Sequence, residues 1–222
     1  MQCIVTAGPT FEPLDAVRRL TNLSTGRLGA ELAGFLSGRG HDVTLLIGQQ
    51  ATYCGERRAR HVETFTTTAS LRDCLQALAS PAVGAVFHAA AVSDFSFGRV
   101  WCQPPQGPPK DVTSGKFSTR EGTLLAELVP TPKIIAQLRQ WFPKARLAGW
   151  KFEVDGERAD VIRLAEEQMA ECRTDGCVAN GPAYGAGFGL VRAGGQCAHL
   201  PDDAALFAAL EQFLREQPAA RK

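Results

Sequence analysis

Apolar residues in this 222-residue chain follow two patterns, short continuous runs and helical stripes, which alternate from the N-terminus onward. Short apolar runs bounded by turn signals are typical of buried strands. They predict strands at residues 3–7, 43–47, 62–66, 85–90, 123–128, 146–153 and 177–180. Apolar residues three and four positions apart predict helices near residues 28–36, 71–78, 161–169 and 206–214. Thr131 as an N-cap and Pro132 in a first turn predict one more helix start.

The order of these elements indicates the fold class. Strands that alternate with helices usually form a parallel sheet covered by helices on both faces. We therefore predict an α/β fold with a Rossmann-like, doubly wound, mainly parallel sheet. Residues 188–200, interrupted by Gly194 and Gly195, predict a C-terminal β-hairpin. Residues 96–118 are rich in proline and glycine and predict a flexible flap, all within a single domain over residues 1–222.

The connection that follows the first strand is longer than the fold requires. About twenty residues, 8–29, stand where two to six are usual. Ser24 and Thr25 are placed as N-cap residues, and Gly26 would let the backbone approach a ligand. Ligands of open α/β sheets bind beyond the carboxyl ends of the strands, so this loop predicts a binding site. A capped helix after a surface loop remains the alternative, and the spacing does not match the dinucleotide motif GxGxxG.

Small or polar residues also follow the later strands. The residues 89–91 are alanines that leave room for a flat ligand, and Asp94 would meet a ribose, a base or a metal ion. Lys116, at the base of the flap, would close over a polyphosphate. The ends of two further strands carry Trp150, Lys151 and Asn180. A turn aspartate, solvated lysines and a tryptophan that covers the sheet are the alternatives that the sequence leaves open.

Composition excludes several classes of function. The formal net charge of +1 gives no electrostatic footprint for nucleic acid or an anionic membrane. No apolar run is long enough to cross a bilayer, and the chain opens without a signal-peptide pattern. The seven cysteines include no CxxC pair, and no His/Cys cluster has zinc spacing. We therefore predict a cytoplasmic protein without nucleic-acid or membrane partners and without a protein-built metal cage.

The sequence of the loop and of the strand ends resembles the phosphopantothenate–cysteine ligase family, also called phosphopantothenoylcysteine synthetase. In the loop the matching words are TAGPT at 6–10, EPLD at 12–15, VR at 17–18, TN at 21–22 and STG at 24–26. Later words are AAVSDF at 90–95, KFST at 116–119, GWKFE at 149–153 and VAN at 178–180. The resemblance extends from about residue 3 to about residue 200.

The resemblance implies an amide-forming ligase of coenzyme A biosynthesis. Its substrates would be 4′-phosphopantothenate, L-cysteine and a nucleoside triphosphate, either ATP or CTP. A nucleotidyl group would be transferred to the carboxylate with release of pyrophosphate, and the cysteine amine would then displace the nucleoside monophosphate. Mg²⁺ is expected to neutralise the phosphate charge, and members of the family are commonly homodimers.

The resemblance also implies a role for individual residues. Catalysis would fall to Asn22, Lys116 and Arg18, with Arg18 supplied by the same subunit or by a second one. Nucleotide binding is implied for Ala89, Ala90, Ala91, Asp94, Lys116, Pro132, Trp150 and Lys151. Phosphopantothenate binding is implied for Gly8, Ser24, Thr25, Gly26 and Asn180.

Three features of this chain depart from the common bacterial pattern of the family. The SDF and KFST words resemble the eukaryotic branch, and lysines that would face a triphosphate are replaced by Gln168 and Cys172. Together these features favour ATP over CTP.

Three other functions remain open on the sequence alone. A Rossmann reductase that uses NADPH is disfavoured by the missing GxGxxG motif. A non-catalytic nucleotide-binding relative is compatible with the departures in the flap and at Gln168 and Cys172. The flavin-dependent decarboxylase of the same pathway is disfavoured because its histidine-bearing motif has no counterpart here, so no flavin is expected.

Overall fold

The computed structural model describes residues 1–105, 107–112, 115–118, 120 and 122–216. The strands are β1 (Gln2–Ala7), β2 (Phe11–Pro13), β3 (Arg19–Thr21), β4 (Asp42–Gly48), β5 (His61–Phe65), β6 (Val83–His88), β7 (Phe95–Gln103), β8 (Lys110–Asp111), β9 (Thr123–Pro130), β10 (Arg146–Phe152), β11 (Gly176–Asn180), β12 (Phe188–Arg192) and β13 (Gln196–Leu200). The helices are α1 (Arg27–Gly38), α2 (Thr68–Ala77), α3 (Ile134–Trp141), α4 (Arg158–Cys172) and α5 (Asp203–Arg215). Thr119 of the KFST word, Ser114 beside it and the last six residues of the predicted domain lie outside the described ranges.

The main sheet has the predicted doubly wound topology. Within the described ranges its strand order is β13-β12-β11-β10-β6-β1-β4-β5. Across the sheet, neighbouring strands from β11 through β10, β6, β1 and β4 to β5 pair in parallel. The strands β12 and β13 add the predicted antiparallel hairpin at one edge. The chain builds outward from β1 through β4 to β5, then returns to build the other side from β6. The strand order therefore reverses between β1 and β6, where open α/β sheets bind their ligands.

Helices cover both faces of this sheet and enclose the core. On one face α1 and α5 bury apolar residues against β1, β4 and β6, including Leu32, Leu36 and Phe213. On the other face α2 and α3 pack over β1 and β6, and α4 packs over β11 and β12. A fully buried leucine such as Leu32 stabilises the fold by about 1.5–3 kcal/mol. The core therefore holds the strand ends, and the segments that leave them, in fixed positions.

Side-chain caps fix the starts of three helices. Thr67 accepts a hydrogen bond from Ser70 N at 3.1 Å before α2, and Asp202 accepts one from Ala205 N at 2.8 Å before α5. Glu157 and Asp160 form a reciprocal capping box at the start of α4. Such caps satisfy amide groups that the helix itself leaves unpaired.

The long connection after β1 is not the simple loop that the sequence predicts. It contains an antiparallel hairpin, in which Phe11 pairs with Thr21, Glu12 with Leu20 and Pro13 with Arg19. Its two strands have three residues each, too few for a period-2 pattern to be recognised. The periodicity of the sequence therefore cannot predict this hairpin.

The flap also differs from the prediction of a segment without regular structure. The strands β8, β7 and β9 form a three-stranded antiparallel sheet, and β7 (Phe95–Gln103) extends into the region from residue 96 onward that was predicted as a flap. Proline and glycine dominate the composition around β7, which hides the strand. The strand exists because it pairs along its length with β9, a long-range contact that no local pattern encodes.

Two helix starts lie later than the sequence predicts. The N-cap of α1 is Gly26 rather than Ser24 or Thr25, and its φ of 78° lies in the left-handed region that favours glycine. The N-cap of α3 is Lys133 rather than Thr131. The hydroxyl of Thr131 instead donates to the carbonyl of Ser93, so tertiary contact overrides the local capping signal.

Candidate active site

Glycines allow the start of α1 to lie directly against the ends of β1 and β4. Gly8 has a φ of 76°, and a Cβ on Gly26 would lie 3.2 Å from the Gly8 Cα. A Cβ on Gly48 would lie only 2.2 Å from the Pro9 carbonyl oxygen. Only residues without a side chain permit this crossing of three backbone segments. It brings Gly8 and Gly26, both assigned to phosphopantothenate by the resemblance, into contact.

The segment before α1 caps the helix less directly than expected. Thr25 accepts a hydrogen bond from Arg27 N at 3.2 Å through its hydroxyl, and its carbonyl accepts one from Tyr53 N at 3.0 Å. Ser24 is half-buried beside it. Arg27 pairs with acidic side chains, with 2.6 Å to Glu31 and 2.6 Å to Asp203. Thr25 and Gly26 therefore lie at the helix start, and the neighbouring arginine charge is already neutralised.

Asn22 joins the long connection to the end of β6. Its Nδ2 donates to the carbonyl oxygen of Ala91 at 3.1 Å. The same carbonyl accepts a hydrogen bond from Thr10 N at 3.1 Å, and Ala91 N donates to Gly8 O at 3.0 Å. The alanine segment thus runs beside the residues that follow β1, at the point where the strand order reverses. An amide has a second N–H and an oxygen, so the exposed Asn22 side chain keeps further hydrogen-bonding capacity.

A chain of hydroxyl groups ties this edge to the start of α3. Ser93 N donates to the Thr10 hydroxyl at 2.8 Å, and the two hydroxyls lie 3.0 Å apart. Thr131 N donates to the Asp94 carbonyl at 2.9 Å, which places Pro132 next to the AAVSDF word. The Asp94 side chain is exposed. The resemblance groups Asp94 with Pro132, and the structure brings their backbones together.

Lys116 is exposed, and the residues on both sides of it are bonded to the turn between β2 and β3. Ala16 N donates to Gly115 O at 2.9 Å, and the Arg18 guanidinium donates to Phe117 O at 2.7 Å. Asp15 Oδ2 accepts from Phe117 N at 3.2 Å. The base of the flap is therefore attached to the connection that carries Asn22.

Arg18 is engaged within its own chain. Its guanidinium lies 2.7 Å from the Asp15 carboxylate, and it also covers the ring of Phe117 at 5.6 Å. Burial alone would raise the pKa of Asp15, but hydrogen bonds from Val17, Phe117 and Arg18 outweigh burial and lower that pKa to about 2. The carboxylate therefore stays charged and keeps Arg18 in place across the physiological pH range.

The residues at the ends of β10 and β11 divide between the two faces of the sheet. Trp150 packs against the core under α1 and α5. Because side chains alternate along a strand, Lys151 points to the opposite face, where its Nζ lies 2.8 Å from Glu153. Asn180 follows Val178 on the face of Trp150, and its carbonyl accepts a hydrogen bond from Glu153 N at 3.1 Å. The Trp150 side chain thus lies on the α1 and α5 face of the sheet and the Lys151 side chain on the opposite face, although the resemblance groups the two.

In α4, Gln168 and Cys172 stand where the resemblance expects lysines, and their side chains make other contacts. Gln168 donates to the Trp150 carbonyl at 3.3 Å, and Cys172 is buried in the core. Lys133, at the start of α3, pairs with Glu171 at 3.3 Å. Two lysines lie near this region, Lys133 at the start of α3 and Lys151 in β10, and each is paired with a glutamate.

His88, directly before the alanine segment, is a buried structural residue. Its Nδ1 lies 3.0 Å from the Thr6 hydroxyl, and the same hydroxyl accepts a hydrogen bond from Ala90 N at 3.1 Å. Burial lowers the pKa of His88 to about 4. The neutral imidazole therefore helps to hold the ends of β1 and β6 together.

The sequence alone does not identify the residues that bond the β2–β3 hairpin to the neighbouring elements. Glu12 is buried and accepts a hydrogen bond from Thr68 N at 2.9 Å, which anchors the β2–β3 hairpin to the start of α2. Asp15 and Phe117 anchor the flap to the same hairpin. Glu12 and Asp15 do stand within the EPLD word, so that word carried a signal, but their partners are distant in sequence.

Neither a protein-built metal cage nor a membrane-crossing helix occurs among the described residues. No group of three or more His, Cys, Asp or Glu side chains within those ranges is arranged to hold a metal ion. Among the helices of the same ranges, none combines the length and the apolar character that crossing a bilayer requires.

Comparison with known proteins identifies a consistent set of relatives. The profile of the family described as DNA/pantothenate metabolism flavoprotein C-terminal domain matches residues 1–198. The coenzyme A biosynthesis bifunctional protein CoaBC of Thermococcus kodakarensis is 33% identical over 181 residues, which are 80% of this chain and 40% of that protein. This chain therefore spans well under half the length of that relative.

Solved structures share the fold. The DNA/pantothenate metabolism flavoprotein of Streptococcus pneumoniae superimposes with a TM-score of 0.83 at 23% identity, over 97% of this chain and 98% of the other. A Cab2 mutant solved as a complex with phosphopantothenate-cysteine gives a TM-score of 0.67 at 18% identity, over 96% of this chain and 85% of the other. At these identities the likeness establishes the Rossmann-like α/β fold.

Proposed function

This chain belongs to the family of DNA/pantothenate metabolism flavoprotein C-terminal domains, and we propose from that premise that it is a phosphopantothenate–cysteine ligase of coenzyme A biosynthesis. Two lines of support are the loop words at residues 6–26 and the CoaBC relative, whose name states a role in coenzyme A biosynthesis. A protein of the same fold has been solved with phosphopantothenate-cysteine bound, which agrees with the product proposed here.

The observation that carries the proposal is the contact between Asn22 and Ala91. It joins the loop word to the alanine word at the reversal of strand order, 3.1 Å apart across 69 positions of sequence. The turn of the hairpin just before Asn22 also holds both neighbours of Lys116. The β2–β3 hairpin thus links the alanine segment, proposed for nucleotide binding, to the two segments that carry Asn22 and Lys116.

The reaction must turn a carboxylate into an acceptor for an amine. The carboxylate oxygen of 4′-phosphopantothenate attacks the α-phosphorus of the nucleoside triphosphate, and pyrophosphate leaves. The amine of L-cysteine then attacks the acyl carbon of the acyl-nucleotide. The nucleoside monophosphate leaves with the bonding electrons, the amine loses a proton, and the amide remains.

The protein would contribute alignment and charge stabilisation. The Asn22 amide, oriented by Ala91, would donate to the oxygen on which negative charge develops at the acyl carbon. Lys116 would place a positive charge over the phosphates from the flap. Arg18 would support this region indirectly, because its guanidinium is bonded to Asp15 and Phe117 of its own chain.

The binding residues would divide along the edge of the sheet. The nucleotide would lie beside Ala89, Ala90, Ala91, Asp94 and Pro132, with Lys151 and Trp150 farther along. The phosphate of 4′-phosphopantothenate would lie at the start of α1, where backbone amides attract anions, beside Gly8, Ser24, Thr25, Gly26 and Asn180.

We propose ATP as the nucleotide, on the SDF and KFST words and on the replacement of lysines by Gln168 and Cys172. Mg²⁺ would neutralise phosphate charge, and the described residues form no cage of three protein ligands for it. A Mg²⁺ ion commonly binds through one or two carboxylates and substrate phosphates, so exposed Asp94 is compatible with this role. The seven cysteines are free thiols, which agrees with a cytoplasmic location.

We further propose a homodimer joined through β9. This strand lies at an edge of the three-stranded sheet and exposes apolar side chains on both of its faces. Leu125 is 47% exposed, Leu128 50% and Val129 39%. Exposed apolar edge strands favour pairing with another chain, and a second copy would bury this one.

A pyrophosphate-release assay tests the function. Purified protein is mixed with 4′-phosphopantothenate, L-cysteine, Mg²⁺ and either ATP or CTP, and the product is identified by mass spectrometry. We expect phosphopantothenoylcysteine and pyrophosphate in equal amounts, with a higher kcat/KM for ATP. Omission of L-cysteine should leave a single turnover of pyrophosphate. Nucleotide binding without pyrophosphate release would instead identify a non-catalytic relative.

A further inference from the structure

The turn between β2 and β3 is attached to the flap through the carboxylate of Asp15, whose two oxygens accept hydrogen bonds from different groups. Asp15 Oδ1 accepts from the backbone N–H groups of Val17 at 3.0 Å and Arg18 at 2.7 Å, which shapes the turn itself. Oδ2 accepts from Phe117 N at 3.2 Å and from Arg18 Nε at 3.0 Å, which attaches the flap. The Asp15 side chain is 0% exposed, so water does not replace these donors. One oxygen therefore serves the turn and the other serves the flap.

The attachment is specific to the backbone around Lys116. The carbonyl of Gly115 and both polar backbone groups of Phe117 are bonded to the turn. The Phe117 side chain is 7% exposed and lies under the Arg18 guanidinium. The main chain on each side of Lys116 is thus fixed, while the lysine itself is exposed.

The far end of the same hairpin is fixed to the main sheet. Thr21 donates to the Thr10 carbonyl at 2.9 Å through its hydroxyl, and Asn22 donates to Ala91. Glu12 bonds the hairpin to the start of α2. The hairpin is therefore a short rigid link, with the flap held at its turn and the alanine segment held at its open end.

We propose that Asp15 and Arg18 are positioning residues that set Lys116 relative to Asn22 through this hairpin. In this role they act on the reaction through the backbone on either side of Lys116. Without them, Lys116 would have to be ordered anew in each catalytic cycle, because the flap would lose its attachment at this point. Small displacements of a catalytic group can lower the rate by roughly 100-fold. The kinetic part of this inference rests on the proposed function, whereas the attachment of the flap does not.

The substitution Asp15→Asn separates the two oxygens. An asparagine oxygen can still accept from Val17 N and Arg18 N, so the turn and the fold should survive. Its NH₂ group would face the Phe117 N–H and the Arg18 guanidinium, where only an acceptor fits. The matched control is Asp111→Asn, which removes an exposed carboxylate paired with Arg99 at 2.9 Å elsewhere in the flap sheet.

The first measurement needs no activity. Hydrogen exchange followed by mass spectrometry on peptides that contain residues 115–118 reports the attachment. We expect Asp15→Asn to accelerate exchange of the Phe117 amide by roughly ten-fold or more, and Asp111→Asn to leave it unchanged. Unchanged exchange in Asp15→Asn would overturn the inference, even in a protein that proved not to be a ligase.

The second measurement asks whether the effect passes through Lys116. We expect Asp15→Asn to lower kcat by roughly 10- to 100-fold, with the KM for cysteine nearly unchanged. In a Lys116→Ala background the same substitution should lower kcat less than two-fold further, because the group being positioned is gone. Losses that multiply in the double variant would overturn the inference. Inactive wild-type protein with the expected exchange result would refute the proposed function and leave the attachment standing.

Discussion

At the scale of single residues, the Asn22 amide is held where the loop after β1 meets the alanine segment after β6. Replacement by aspartate removes the donor and places a carboxylate against the carbonyl of Ala91. We expect Asn22→Asp to abolish product formation, with a loss in kcat of about 100-fold or more.

The measurement for Asn22→Asp is pyrophosphate release, with circular dichroism to verify that the fold is intact. Leu23→Ala is the matched control, because the neighbouring Leu23 side chain is 99% exposed. Turnover at the wild-type rate in Asn22→Asp would remove Asn22 from the mechanism.

His88 supplies a prediction about stability and pH. Burial lowers its pKa from 6.5 to about 4, so the unfolded chain binds the proton more readily. The free energy of unfolding should therefore fall as the pH drops from 6.5 to 4 and lose no more from this residue below that. The total is on the order of 3 kcal/mol, from about 1.4 kcal/mol per pKa unit.

Denaturant unfolding of wild-type protein and His88→Asn across this pH range measures the effect. Asparagine keeps a hydrogen-bonding group near the Thr6 hydroxyl but does not titrate. The variant should show a flatter profile between pH 6.5 and 4. Because the pKa of His41 is also lowered by burial, some slope should remain. Identical slopes in the two proteins would show that His88 does not control this range.

The sequence located the residues at strand ends but not those that hold them. Asp94 could be singled out because it follows an apolar run, and Lys116 because it lies at the base of a segment rich in proline and glycine. Asn22 could be singled out because it lies in the long connection after the first strand, within the words that carry the family resemblance. Asp15, Glu12 and Phe117 could not be assigned, because each acts through a partner from 56 to 102 positions away in sequence. Trp150 and Lys151 face opposite sides of the sheet, which their shared word conceals.

At the scale of elements, the junction of β1, β4 and α1 depends on glycine. An alanine at Gly26 would have to adopt a φ near 78°, and its Cβ would lie 2.9 Å from the Ala51 Cβ. We expect Gly26→Ala to lower the free energy of unfolding by at least about 1–2 kcal/mol, the cost of a left-handed conformation.

Gly38→Ala, at the other end of α1, is the matched control for this measurement. A Cβ there meets no atom within 4 Å, and alanine favours helix, so stability should rise by up to about 1 kcal/mol. Denaturant unfolding compares the two variants. Equal stability of Gly26→Ala and wild type would show that the crossing of segments tolerates a side chain.

Elements of the main sheet could be predicted because buried parallel strands are continuous apolar runs. The β2–β3 hairpin could not, because its strands have three residues each, and β7 could not, because it leads into a segment rich in proline and glycine and is formed by pairing with β9. The starts of α1 and α3 were misplaced by one or two residues, because Thr25 and Thr131 bond outside the positions that their local signals favour.

At the scale of the whole molecule, the exposed apolar side chains of the edge strand β9 predict the oligomeric state. We expect the wild-type protein to sediment as a dimer and Leu128→Lys to sediment as a monomer, because a buried charge without a partner is costly at an interface. Val62→Lys is the matched control, since Val62 is 43% exposed on β5, at the edge of the main sheet. A monomeric wild type, or a dimer that survives Leu128→Lys, would contradict the proposed interface.

The doubly wound architecture followed from the order of apolar runs and helical stripes, because alternation of these elements leaves few topologies. What the order could not give is the second, antiparallel sheet that stands beside the first. Its strands contact the hairpin after β1, so two sheets meet at the point where the strand order reverses.

The attachment of the flap at its base, through Asp15 and Ala16, has a consequence for variation among relatives. The described hydrogen bonds that fix the backbone beside Lys116 are made by the hairpin turn, at the opposite end of the flap from the tip around Gly107. Insertions or deletions at that tip should be tolerated and should alter which molecules can enter or leave, without retuning the chemistry beneath. The tip of the flap and the position of Lys116 can thus vary independently of each other.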